Sequence, residues 1–110
     1  MIDWARVEDL RSEIGGDDFL EVVDMFLDEA DEVIGRLNGP AMPDQVESQL
    51  HFLKGAALNL GLTDLAARCQ DGEKRAANGD ARAVDLVQVV AIYYASRQLL
   101  SDSLGRTKVA

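Results

Sequence analysis

The sequence predicts an all-α domain: an antiparallel, up-down four-helix bundle with a short additional helix at its N-terminus. Three observations lead there. Breakers cut the 110 residues into five segments, at Gly15-Gly16, at Asn38-Gly39-Pro40-Ala41-Met42-Pro43, at Gly61 and at Asn78-Gly79. Within those segments apolar residues recur at helical spacing, and no stretch alternates long enough to make a strand. Ala, Leu, Val, Asp and Glu dominate, and only 5% of residues are aromatic, which suits helices better than sheet. Residues 1–110 are enough for a single domain with one core and too few for two.

The first helix is expected over 3–13, with Asp3 as N-cap and Ile2, Val7, Leu10 and Ile14 as its apolar stripe. The second is expected over 17–37. Its stripe is Phe19, Val22, Val23, Phe26, Ala30, Val33, Ile34 and Leu37, and Asp17-Asp18 complement the positive end of its dipole. The third begins near Asp44 and turns Val46, Leu50, Leu53, Ala57 and Leu60 inward. The fourth starts at Thr63, read as its N-cap, and buries Leu65, Ala66, Cys69 and Ala76. The fifth is expected over 81–103. Val84, Leu86, Val87, Val90, Ala91, Tyr94, Leu99 and Leu100 spread around its circumference, which predicts packing on more than one side. Trp4 and Tyr93-Tyr94 are read as packing residues.

Charge and composition exclude several classes of function. Net charge is −9, which argues against a surface that tracks nucleic-acid phosphates. Residues 1–50 carry 14 acidic and 3 basic side chains, whereas residues 51–110 carry 6 and 8. The acidic run across 17–32 reads as a solvated helix face. No apolar run is long enough for a membrane helix, and MIDWARVEDL lacks the apolar core of a signal peptide. The single cysteine, Cys69, rules out an intrachain disulfide and reads as a small buried hydrophobe. A monomeric, cytoplasmic protein is the expectation.

Chemistry concentrates in LHFLKGAALNLG, residues 50–61, which holds the only histidine. With Leu50 at zero and about 100° per residue, the core stripe spans roughly −80° to 0°. His51 then falls near ~100°, Lys54 near ~40°, Glu47 near ~60°, Leu58 near ~80° and Gly55 near ~140°. His51 therefore looks outward. A neutral imidazole is a competent nitrogen nucleophile near neutral pH. If His51 accepts a phosphoryl group, Lys54, one turn on, is placed to neutralise its charge, and Gly55 removes a side chain that would crowd it. A glycine inside a helix costs roughly 0.5–1 kcal/mol relative to alanine, so its presence calls for a steric reason. Glu47, Leu58 and the region of Phe19 are the candidate partner-binding positions.

The stretch His51-Phe52-Leu53-Lys54-Gly55-Ala56-Ala57-Leu58-Asn59-Leu60-Gly61 resembles the H-x-L-K-G-[SA]-x-x-x-[LIV]-G signature of histidine-containing phosphotransfer (HPt) domains. The similarity runs on through Leu65, Cys69 and Glu73 and back through Phe19-Leu20, Phe26-Leu27 and Ala30. The resemblance implies a helical bundle whose histidine takes a phosphoryl group from a receiver-domain aspartate and passes it to another receiver. His51 is then the phospho-accepting residue, through Nε2. Lys54 would meet the phosphoryl oxygens, Gly55 would leave space beside them, and Asn59 and Gly61 acquire no chemical role. The implied partners are receiver domains of response regulators or hybrid histidine kinases. No cofactor is implied on this chain, since Mg²⁺ is expected on the receiver. One departure is Gly72, where the family usually places a bulky apolar residue; the fourth helix is expected to pack closely there or to be locally less stable.

Other readings fit less well. No phosphate-binding glycine loop is present, so self-phosphorylation from ATP is not expected, and the protein reads as a phosphoryl carrier rather than an enzyme. A histidine-kinase dimerisation segment typically follows its histidine with an acidic residue and has proline near the position of Gly55. A non-phosphorylated helical adaptor that only binds a receiver or kinase is the alternative, against which the retention of both His51 and Lys54 argues. One histidine and one cysteine do not make a metal site.

Overall fold

A computed structural model describes residues 2–39 and 43–105, and these form five α-helices and one 3₁₀ turn. Met1, residues 106–110 and the Pro40-Ala41-Met42 part of the expected second break lie outside the described residues. The helices are α1 (Trp4–Ile14), α2 (Gly16–Leu37), α3 (Pro43–Leu60), α4 (Thr63–Ala77) and α5 (Leu86–Ser103). Among the described residues no helix is long and apolar enough to cross a membrane.

Local chemistry explains most boundaries. The Asp3 carboxylate accepts a bond from the Arg6 amide at 3.2 Å and so caps α1 as expected. Gly15, at φ +97°, turns the chain directly into α2, whose first turn carries Asp17 and Asp18. Pro43 opens α3, where its missing N–H has no helical partner to lose. Gly61, at φ +74°, ends α3, and a Cβ there would lie 2.6 Å from the Asp3 carbonyl oxygen. The close approach is used: the Asp3 amide donates to the Gly61 carbonyl at 2.7 Å, and Ile2 and Leu62 form an antiparallel bridge. The start of α1 is thereby fastened to the α3–α4 turn.

Two expected boundaries are corrected. Thr63 is the first residue of α4 and not its cap, because buried, bridged Leu62 occupies the cap position and makes no side-chain capping bond. The fifth helix starts at Leu86 and not near 81. Residues Ala81–Ala83 form a separate 3₁₀ turn, and the Asp85 carboxylate caps α5 by accepting from the Gln88 amide at 3.0 Å.

Around the core, α2 contacts α3, α3 contacts α4, α4 contacts α5 and α5 contacts α2, while α1 lies against α2 and α3. Leu50, Leu53, Ile34 and Cys69 are wholly buried at its centre. Full burial of a leucine or isoleucine contributes about 1.5–3 kcal/mol of transfer free energy, so Leu50, Leu53 and Ile34 anchor the assembly. The α3–α4 pair packs most extensively, at Gly72, where a Cβ would lie 2.7 Å from Leu50 Cδ1 and 3.0 Å from Val84 Cγ1. The departure from the family pattern is thus a notch that admits Leu50, and α4 packs closely through it.

On the far side, Tyr93 joins α5 to α2. Its hydroxyl donates to the Asp31 carboxylate and lies 3.3 Å from the Leu27 carbonyl oxygen, and Arg97 grips both Asp31 oxygens at 3.0 Å. Burial, then Asp31, pushes the phenol pKa up and keeps it a donor. The fifth helix, α5, packs against both α4 and α2, through one broad face rather than around its whole circumference. Its core face is Val89, Tyr93, Ser96 and Leu100, while Val87, Ala91, Tyr94 and Leu99 face solvent. Trp4, read as a packing residue, is also exposed.

Candidate functional site

The site is built across two helices. His51 projects from α3 with 70% of its side chain exposed, and its Nδ1 lies 2.7 Å from Glu73 Oε2 on α4. The other Glu73 oxygen, Oε1, meets Lys54 Nζ at 2.9 Å, and Lys54 also donates to Gln70 Oε1 at 3.3 Å. One carboxylate therefore bridges the imidazole and the ammonium. His51 and Lys54 stand one turn apart on α3, as Gln70 and Glu73 do on α4, so the pairing requires only that the two faces meet.

Charge decides the state of the imidazole. Lys54's hydrogen bond holds the Glu73 carboxyl below its usual range, against partial desolvation and with a smaller contribution from His51. An ionised carboxylate only accepts, so the proton of a neutral His51 sits on Nδ1 and faces Glu73. The Nε2 lone pair is then free for reaction. Because the native pKa of Glu73 is depressed, its pairing stabilises the fold above the unfolded value and is lost as pH falls through the native one. Thermal unfolding of wild type and Glu73→Gln should therefore differ most near neutral pH and converge as acidification passes from the ordinary carboxylate range down through the depressed native value. A gap that does not narrow on acidification would refute the pairing.

The other expected residues divide clearly. Gly55 is exposed, and a Cβ there would meet no atom within 4 Å, so no neighbour in this chain requires a glycine there. Leu58 is 58% exposed, and exposed Glu47 lines a small groove with Lys54, Gln70 and Glu73. Phe19 is corrected: it is a core residue, 2% exposed and capped by the Arg11 guanidinium 4.9 Å above its ring, so it offers no partner surface. Cys69 lies beneath the site with its thiol pushed up to about 12, chiefly by burial and then by Glu73. It is inert as a nucleophile near neutral pH.

Asn59 acquires a role that its spacing did not reveal. Its side-chain amide donates to the Gly55 carbonyl at 3.1 Å, while Arg6 of α1 donates to the Asn59 carbonyl and side-chain oxygens at 3.2 and 3.3 Å. The α1 helix thus braces the turn of α3 that follows His51. Glu73 and Gln70 were also missed as site residues. Their separations from His51 reflect the α3–α4 hairpin; Glu73 entered the reading only as part of the wider resemblance, and no local pattern marks Gln70.

Comparison with known proteins follows the same lines. The family model described as Hpt domain matches residues 21–104, which takes in His51, Lys54, Gly55, Gln70 and Glu73 and leaves α1 outside. Neither the curated proteins nor the solved structures compared gave a match.

Proposed function

Because the chain belongs to the Hpt domain family, we propose that it is a phosphorelay intermediate that accepts a phosphoryl group on His51 Nε2 and hands it to a second receiver domain. The observation that carries the reading is the outward imidazole whose Nδ1 is bound by an ionised Glu73 that Lys54 in turn holds.

The chemistry is phosphoryl exchange. The Nε2 lone pair of neutral His51 attacks the phosphorus of a receiver's aspartyl phosphate. The N–P bond forms as the P–O bond breaks, and the aspartate carboxylate leaves with that electron pair. The ring becomes cationic while keeping its Nδ1 proton, and Glu73 faces that positive charge. Passing the phosphoryl group on reverses these steps. The receiver supplies the leaving carboxylate and its Mg²⁺. This chain supplies a positioned nucleophile, consistent with phosphoryl transfer being chiefly positioning and electrostatics. Gly55 leaves room for the phosphoryl group, and Leu58 and Glu47 belong to the partner-facing surface. The scaffold is an antiparallel up-down four-helix bundle with a short N-terminal helix, acting as a cytoplasmic monomer without ATP chemistry of its own.

Incubation with phosphorylated receiver domains tests this reading. Acid-labile, base-stable label should appear on the protein and chase onto a second receiver. Binding to receivers without any label would favour the adaptor reading. Lys54→Ala and Glu73→Gln should each slow transfer by roughly 10-fold, less than loss of a directly acting acid or base, with helicity unchanged. The double variant should lose little more than either single one, because both act through the same imidazole. Additive losses in stopped-flow transfer would show that Lys54 acts on its own.

A further inference from the structure

The α3–α4 hairpin carries the residues of the candidate site, with His51 and Lys54 on one arm and Gln70 and Glu73 on the other. Its turn is weakly secured by its own residues. No basic side chain lies in the last turn of α3 to meet the carbonyls left open there, and Leu62 gives α4 no side-chain capping bond. The start of α1 supplies what the turn lacks. The Asp3 amide holds the Gly61 carbonyl at 2.7 Å, and Ile2 bridges Leu62. Arg6 Nε donates to the Asn59 carbonyl at 3.2 Å, and Nη2 donates to the Asn59 side-chain oxygen at 3.3 Å. The Asn59 side-chain amide in turn reaches back to the Gly55 carbonyl at 3.1 Å. One guanidinium thus fixes the end of α3 and, through Asn59, the helical turn that begins at the exposed glycine.

The hairpin gives this fastening leverage. His51 precedes Gly61 by ten residues, about 15 Å along the helix. At that distance an opening of about 4° at the turn moves facing side chains apart by about 1 Å. That is enough to part Nδ1 from Glu73 Oε2, which lie 2.7 Å apart. A misplacement of about 1 Å at a reacting group can cost up to about 100-fold in rate. Leu50, seated in the notch at Gly72, opposes part of such an opening, so the expected loss is smaller. Resting on the phosphotransfer reading, we infer that Arg6 is a positioning residue for the reaction: by clamping Asn59 at the hairpin turn it holds His51 against Glu73. Its side chain bonds Asn59 and Glu13 and not the imidazole, so it acts through the placement of α3.

The test compares wild type with Arg6→Ala, Arg6→Lys and Asn59→Ala. Glu13→Gln is the control, since it removes only the more distant partner of Arg6, at 3.6 Å. Circular dichroism and a working temperature well below every unfolding midpoint keep the comparison among folded proteins. The chain has one histidine, so nitrogen NMR reads its ring without ambiguity. In alkaline buffer, where an imidazole is neutral, wild type should show the Nδ1–H tautomer, and Arg6→Ala and Asn59→Ala a mixture of the two. At saturating phosphorylated receiver the transfer rate of Arg6→Ala should fall by about 5-fold, with the half-saturating receiver concentration unchanged. Labelling by phosphoramidate, a small donor that needs no docking, should fall in the same proportion. Arg6→Lys should recover part of the loss, because an ammonium lacks the fork that reaches both Asn59 oxygens. Glu13→Gln should stay within about two-fold of wild type. A saturated rate equal to wild type in Arg6→Ala, whatever its tautomer or unfolding midpoint, overturns the positioning role and leaves the phosphotransfer reading standing. A raised half-saturating concentration with the saturated rate intact would make Arg6 a docking residue and also overturn the proposal. A wild type that takes label from neither donor overturns the phosphotransfer reading and this inference with it.

Discussion

His51→Gln should abolish the proposed phosphoryl acceptance while leaving the fold in place. Glutamine approximates the length of histidine, but its amide nitrogen lone pair is delocalised into the carbonyl and does not attack phosphorus. No second histidine exists in the chain to take over. Cys69 is buried with its thiol pushed up to about 12, so it gives no thiolate route. Acid-labile label from a phosphorylated receiver should therefore fall to background. The side chain is 70% exposed, and exposed substitutions usually change stability by less than about 0.5 kcal/mol. The loss of the Glu73 contact adds to that, yet the Glu73–Lys54 pair remains at 2.9 Å. Circular dichroism and thermal unfolding should stay close to wild type. Equal labelling of the two proteins would mean that the phosphoryl group goes elsewhere.

Gly72→Leu should be the most damaging single change to stability. The notch at Gly72 is filled from two sides: Leu50 Cδ1 would lie 2.7 Å and Val84 Cγ1 3.0 Å from any Cβ. Leu50 is wholly buried and has little room to yield, and three further carbons beyond Cβ would press α4 away from α3. Overpacking of this kind costs about 1–3 kcal/mol and occasionally more, against a gain of about 1 kcal/mol in helix propensity from removing a mid-helix glycine. A net loss of up to about 2 kcal/mol should lower the unfolding midpoint by as much as roughly 10 °C in a domain of this size. Because Leu50 precedes His51 and Glu73 follows Gly72, separation of the helices should also break the 2.7 Å His51–Glu73 contact and slow transfer. An unchanged midpoint in calorimetry would show that α4 tolerates a bulky residue there. Gly72→Ala is the graded control, since only its Cβ must be accommodated.

Several features were legible in the sequence because they arise from neighbours on the same turn or the next. Asp3 reads as a cap because its carboxylate reaches an amide three residues on. The apolar stripe of α3 follows from a fixed angle per residue, and it placed His51 outside and Leu50 and Leu53 inside. The eleven-residue pattern around His51 carried the family resemblance, since its residues lie on α3 and the turn that ends it. Gly55 stands out on the same helix: a glycine inside a helix costs stability, and no neighbour in this chain requires one there.

What lay beyond the sequence depends on how helices are rotated and set against one another. The outward face of α5 shows this. Val87 and Tyr94 are as apolar as the residues that are buried, and only the direction of approach of α2 and α4 decides that Val89 and Tyr93 turn inward. Phe19 is covered because α1 brings Arg11 over its ring. Glu73 became a site residue because the close α3–α4 contact, admitted by the notch at Gly72, carries its carboxylate to His51 Nδ1 and Lys54 Nζ. Periodicity within one helix determined that His51 faces outward. Packing between helices decided that Glu73 holds its Nδ1 and leaves Nε2 free.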